Sequence, residues 1–152
     1  MNMHTLACTL VAFIAAVLSR SVSILPEAEA NPASYLSSEA EMAHWLSTTD
    51  AELVYLGAPP NTLSPRDAQG TTIVYCTNRS GAVCGGVCTV YSGGAACIDA
   101  PRTKCLKATQ DVGFCDKRGC DGNCAALSAC GTWLKNGFCF TPGTRSIVVS
   151  PL

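Results

Sequence analysis

Apolar residues follow three different patterns along this chain. Leu6 to Leu18 (LACTLVAFIAAVL) is an unbroken apolar run of 13 residues. It suits the hydrophobic stretch of a signal peptide and falls short of the roughly 20 residues a helix needs to span a bilayer. Residues 31–66 contain no cysteine, and their apolar positions recur at helical spacing. From residue 71 onward, short β-branched and aromatic runs alternate with glycine-rich turns and with cysteine.

In the middle stretch, Ser38-Glu39-Ala40-Glu41 fits a capping box: a serine accepts from a free backbone amide and a glutamate three residues on reaches back. Met42, Trp45 and Leu46 then share one helical face. Thr49-Asp50-Ala51-Glu52 repeats the signature ahead of Leu53, Val54 and Leu56, with Gly57 as a left-handed stop and Pro59-Pro60 blocking continuation. The pattern predicts two short helices, near 38–47 and 50–56, or one helix bent at 47–49. Helices this short are marginal alone, so Trp45, Leu53 and Leu56 are expected to pack on the cysteine domain or on a partner. Asn61 to Gly70 (NTLSPRDAQG) reads as a polar linker in which Arg66 offers a single basic cleavage point. Permanent element and removable pro-region both fit.

The third stretch predicts strands at 71–75 (TTIVY) and 87–91 (VCTVY), with shorter ones at 137–140 and 146–149 around a Pro142-Gly143 turn. Asp121 can cap a helix through Ala125, Ala126, Leu127 and Ala129, ending at Gly131. Such a helix would place Cys120 and Cys124 one turn apart. The fold class read from these patterns is α+β. A disulfide-rich domain of short antiparallel strands and one or two short helices spans 71–152, preceded by a helical segment or pro-region at 24–66 and a signal peptide at 1–23. Cleavage of that leader is expected between 19 and 30, after the small residues near Ser19 to Ser23 or after Ala28-Glu29-Ala30.

Cysteine content sharpens this picture. Of 11 cysteines, Cys8 lies in the leader, and Cys76, Cys84, Cys88, Cys97, Cys105, Cys115, Cys120, Cys124, Cys130 and Cys139 crowd into one segment. Removing the leader turns an odd count even, as a closed set of five bridges requires. A small core in an oxidising compartment commonly depends on such bridges. Ten cysteines allow about 945 pairings, and spacing alone selects none. Five cysteines in each half of the framework force at least one bridge between the halves. Zinc is the rival use, but there is no C-x2-C pair and no histidine after His44; neither metal nor other cofactor is expected.

The net charge of −1 conceals an asymmetry. Residues 1–70 carry Arg20 and Arg66 against seven acidic residues; residues 71–152 carry eight basic residues against Asp99, Asp111, Asp116 and Asp121. An acidic front half docked on a basic domain and simple scattered solvated charge both fit this distribution. The eight basic residues form no stripe, which argues against nucleic acid. Nucleophile elbows, phosphate loops and metalloprotease motifs are absent from the sequence. A glycosidase-type carboxylate pair would have to come from the four aspartates, which read more simply as turn and cap residues. No catalytic residue is assigned. Asn78-Arg79-Ser80 is an N-glycosylation acceptor. Lys117-Arg118, between Cys115 and Cys120, is a basic loop that reads either as a solvated turn or as a protease-inhibitor loop. Trp45, Lys117 and Arg118 are the candidate partner-binding residues, and Trp133, Phe138 and Phe140 are either a sugar-stacking platform or core.

The arrangement ends its cysteine-free part in Leu-Gly-Ala-Pro-Pro (56–60) and closes its ten-cysteine domain with Asn-Gly-Phe-Cys-Phe-Thr-Pro-Gly-Thr (136–144). It resembles the small secreted cysteine-rich proteins of filamentous fungi, especially basidiomycetes. The absence of a Cys-Cys doublet sets it apart from hydrophobins, and the missing C-x-C from defensin-like folds. The resemblance implies action outside the cell, as an effector or signal that binds a protein or cell-surface target, without catalysis or stable membrane insertion. Two alternatives are a secreted protease inhibitor using the Lys117-Arg118 or Lys104 loops and a membrane-active antimicrobial protein.

Overall fold

A computed structural model of the protein describes residues 35–57 and 70–150. The expected leader at 1–23 and its expected cleavage points, including Ala28-Glu29-Ala30, and the predicted linker with Pro59-Pro60 and Arg66 lie outside the described residues. Among those described, the protein is a seven-stranded mixed sheet with a single α-helix. This corrects the expected α+β arrangement of a helical segment ahead of a small strand-and-helix domain. The strands are β1 (Glu52–Leu56), β2 (Thr71–Ser80), β3 (Val83–Gly93), β4 (Ala96–Ala108), β5 (Gly113–Cys115), β6 (Cys124–Ala126) and β7 (Cys139–Val149). Their order is β1-β3-β2-β4-β7-β5-β6, antiparallel except for β1 beside β3.

The first capping box forms as its sequence requires. Helix α1 (Glu39–Thr48) begins at Ser38, whose hydroxyl accepts from the Glu41 amide while the Glu41 carboxylate accepts from the Ser38 amide. The second does not start a helix. Thr49 Oγ1 accepts from the Ala51 amide in a short turn, and Leu53 to Leu56 extend as β1 against β3. Four consecutive bulky residues, two of them valine and tyrosine, fit a pleated edge better than a single helical turn. Leu53 packs on the core, whereas Leu56 is exposed.

Both faces of β2 are buried, because consecutive side chains of a strand point to opposite sides. Ile73 and Tyr75 join Ile98, Leu106, Leu127 and Ile147 in one cluster, where β4, β7 and the chain after β6 close over the sheet. Val74 and Cys76 face the other way and meet Met42 and Trp45 of α1, with Phe138 and Leu134. The helix is therefore the lid of the second core layer. The Ser37 amide, donating to the Ala108 carbonyl, anchors its approach.

Two further expectations are corrected. The predicted helix after Asp121 is instead the short strand β6 followed by a 3-10 turn at Leu127–Ala129. Cys120 and Gly122 hold positive φ, and the Cys115–Cys124 bridge ties β6 flat against β5. The two short strands around Pro142-Gly143 form one strand, β7, which runs through the dipeptide. Strand β4 had no counterpart in the expected pattern. Its alternation breaks in phase at Pro101-Arg102, where the register against β7 shifts.

All ten cysteines of the domain are paired: Cys76–Cys88, Cys84–Cys105, Cys97–Cys120, Cys115–Cys124 and Cys130–Cys139. Cys97–Cys120 is the one bridge between the halves of the framework. Cys76 and Cys88 are cross-strand partners with Cα atoms 4.0 Å apart, so sheet register alone brings them together.

Candidate functional site

Of the basic pair in the Cys115–Cys120 loop, Arg118 reaches a shared site and Lys117 does not. Arg118 lines a cavity of about 340 Å³ together with Arg102 and Lys104 of β4 and Arg145 of β7. All four cations are exposed, and the lining contains no carboxylate. Their convergence has local causes. The bulge in β4 gives Arg102 a φ of 66°, and the buried Thr103 and Thr144, opposite each other across β4 and β7, bond back to the Ala100 and Thr141 carbonyls. Ser146 Oγ donates to the Lys117 carbonyl and accepts from the Cys120 amide. With the Cys97–Cys120 bridge, these bonds fasten the Arg118 turn onto β4 and β7. Lys104 lies in a strand and not in a loop.

Trp45 has a different place. It is only 7% exposed, edge-on to Phe138 at 5.0 Å between ring centroids, and it borders a second cleft, of about 630 Å³, between α1 and the 133–137 segment. At the floor of that cleft is Lys107. It pairs with Val74 across β4 and β2 and so projects, like Cys105, toward the face covered by α1. Lys107 is 2% exposed. Its ammonium lies 5.3 Å from the centroids of both Trp45 and Phe138 and donates one long bond, 3.4 Å, to the Asn136 carbonyl. Burial pushes its pKa down to about 8, while the Glu41 carboxylate across the cleft pulls it back up.

This lysine makes stability depend on pH. The unfolded chain holds the Lys107 proton up to the ordinary lysine value of 10.5, whereas the folded chain releases it near 8. Between those values the unfolded state binds more protons, so stability rises with pH. Tyr75, held above its ordinary value of 10.0 by burial, opposes this only in stronger alkali. The denaturation midpoint is therefore expected to climb from pH 7.5 to 9.5, by about 1–2 kcal/mol in stability after allowing for water in the open cleft. Urea titrations of the native chain and of Lys107→Met check this: the slope should disappear in the variant, and a flat native profile refutes it.

The remaining candidates are dispersed. Asn78 is exposed in β2 opposite Gly85, inside the strand and not after it, and its side-chain carbonyl accepts from the Arg79 amide. The three aromatics do not form one platform: Phe138 is buried, Phe140 is half-buried under the Arg79 guanidinium at 4.0 Å, and Trp133 is 43% exposed beside Tyr35. Asp111 holds the amide and hydroxyl of Ser128, and Asp116 holds the amide and side chain of Asn123. Those bonds keep Asp116 below the ordinary carboxylate range. Sequence reasoning missed Arg102, Lys104 and Arg145 as partners of Arg118, since only the β4–β7 pairing joins them. It also missed Lys107, whose burial in phase with Cys105 becomes visible only once β4 is placed between β2 and β7.

Five disulfides in a domain this small are compatible with a secreted protein, and no helix among the described residues is long and apolar enough to cross a membrane. Comparison with known proteins brings no match to a family model, to a curated protein or to a solved structure.

Proposed function

We propose that this chain is a secreted, non-enzymatic binding protein of the effector or signalling type. It engages an anionic partner outside the cell through Arg102, Lys104, Arg118 and Arg145. The observation that carries this reading is the convergence of four cations from three separate segments on one carboxylate-free cavity. Like charges held together repel one another, and a bound anion relieves that repulsion. Guanidinium groups suit sulfate, phosphate and carboxylate because their planar forks donate two bonds at once. The inhibitor alternative is less well supported. A protease cleft takes an extended segment on both sides of the scissile bond, and this loop turns at Arg118–Cys120 with Gly119 at φ 70°.

Heparin serves as the test probe, since it presents dense sulfate and carboxylate groups. Native protein should be retained on it at low salt and elute as salt screens the charges. Arg118→Glu combined with Arg145→Glu should weaken binding at least tenfold while leaving the melting midpoint within a few degrees. Unchanged elution of the double variant would refute the site. Leakage from anionic vesicles with no heparin retention would favour the membrane-active alternative.

A further inference from the structure

We infer that the cleft between α1 and the 133–137 segment is a saccharide site, with Trp133 as the stacking surface and the Lys107 ammonium as the donor at its floor. A lysine in this position is costly. Its side chain is almost fully removed from water, and its three N–H donors receive one long bond and two aromatic faces in return. An apolar residue of similar length would fill the same core position without that cost. The ammonium lies against an open cleft with donor capacity to spare, which is the arrangement that a ligand oxygen completes.

The walls narrow the ligand class. Trp133 exposes an indole at the rim, beside the Tyr35 ring, 6.4 Å away and tilted by 37°, and both rings line the cleft. Aromatic faces of this kind pair an apolar body with a polar edge, matching the C–H face and hydroxyl rim of a sugar ring. On the opposite wall the exposed Glu41 presents a carboxylate and His44 an imidazole, both from α1. The Glu41 charge offsets that of Lys107, so the cleft has no net pull on phosphate or sulfate, unlike the four-cation cavity. Hydroxyl groups, which both donate and accept, suit the Lys107 ammonium together with the Glu41 carboxylate, whose Oε2 already accepts from Ser38 in the capping box. The volume of about 630 Å³ lies within the ~300–1,000 Å³ range of small-ligand clefts.

The site is independent of the anionic one, and the experiment keeps them apart. The disulfide-bonded full-length protein is titrated with soluble β-glucan, chitin and mannan oligosaccharides and with a uronic-acid oligomer, monitored by amide and indole NMR shifts. At least one of them should bind, with shifts at Trp133 and in α1. Trp133→Ala and Lys107→Met should each weaken that binding at least tenfold, whereas Arg118→Glu should leave it unchanged. Trp133→Ala alters an exposed ring, so its thermal midpoint should match the native one and loss of binding will not reflect unfolding. Absence of binding to all four at millimolar concentration overturns the inference. So does unchanged binding by either cleft variant, or binding by the uronic-acid oligomer alone that Arg118→Glu abolishes.

Discussion

Reduction of the five disulfides is expected to abolish cooperative unfolding of this protein, leaving no thermal transition near the oxidised midpoint. Each bridge restricts the unfolded chain by typically ~2–4 kcal/mol, and a whole domain is stable by only ~5–15 kcal/mol. The five together, ~10–20 kcal/mol, match or exceed that margin. The bridges should not contribute equally. Cys115 and Cys124 are 9 residues apart on strands already paired, whereas Cys97 and Cys120 are 23 apart and join β4 to the Arg118 turn. Loop length alone makes the second more stabilising by roughly 0.8 kcal/mol. Replacing Cys97 and Cys120 together by serine should lower the midpoint more than the equivalent change at Cys115 and Cys124. It should also weaken heparin retention, since Arg118 loses its tether to β4. Calorimetry with and without reductant measures the first effect. A reduced chain that still melts within a few degrees of the oxidised one would mean that packing, and not cross-linking, holds the fold.

The sequence pattern was informative where one local interaction decided the outcome. Ser38 and Glu41 define the start of α1 because both halves of a capping box lie within four residues. Ile73 to Tyr75 and Val87 to Tyr91 lie in strands because β-branched residues favour an extended backbone. It misled where partners far along the chain decided. Thr49 to Glu52 carries the same capping letters as Ser38 to Glu41, yet the available β3 edge draws Leu53 to Leu56 into a strand. Strand β4 hides its alternation behind a bulge at Pro101-Arg102, so its buried residues fall out of phase. The odd cysteine count per half required a bridge between halves. Which cysteines form it depends on where β4 passes the Arg118 turn, and no spacing rule encodes that. The same holds for the four-cation cavity, whose members are 102, 104, 118 and 145. Arg118 and Lys104 were visible as separate basic candidates; that they share one site with Arg102 and Arg145 became visible only with the β4–β7 pairing.

Trp45→Ala is expected to destabilise the protein by about 3–5 kcal/mol, the usual cost of emptying a buried tryptophan site. The indole packs edge-on to Phe138, in one cluster with Met42, Val74 and Val90, and is 7% exposed. Movement of α1 into the space is limited, because α1 is fixed at its approach by the Ser37 to Ala108 bond and beyond its end by β1. Leu56→Ala, at an exposed position of the same cysteine-free stretch, should cost less than about 0.5 kcal/mol. The contrast separates a helix that completes the core from one that merely accompanies it. The Lys107 ammonium provides an internal check, since the Trp45 ring is one of the two aromatic faces covering it. Water admitted by the truncation should return the Lys107 pKa toward 10.5, so the rise in stability between pH 7.5 and 9.5 should flatten in Trp45→Ala as it does in Lys107→Met. Trp45→Phe should keep most of the stability and most of the slope. A Trp45→Ala variant with a native midpoint and a native pH profile would show that α1 does not seal this layer, and Lys107 would then owe its low pKa to the sheet alone.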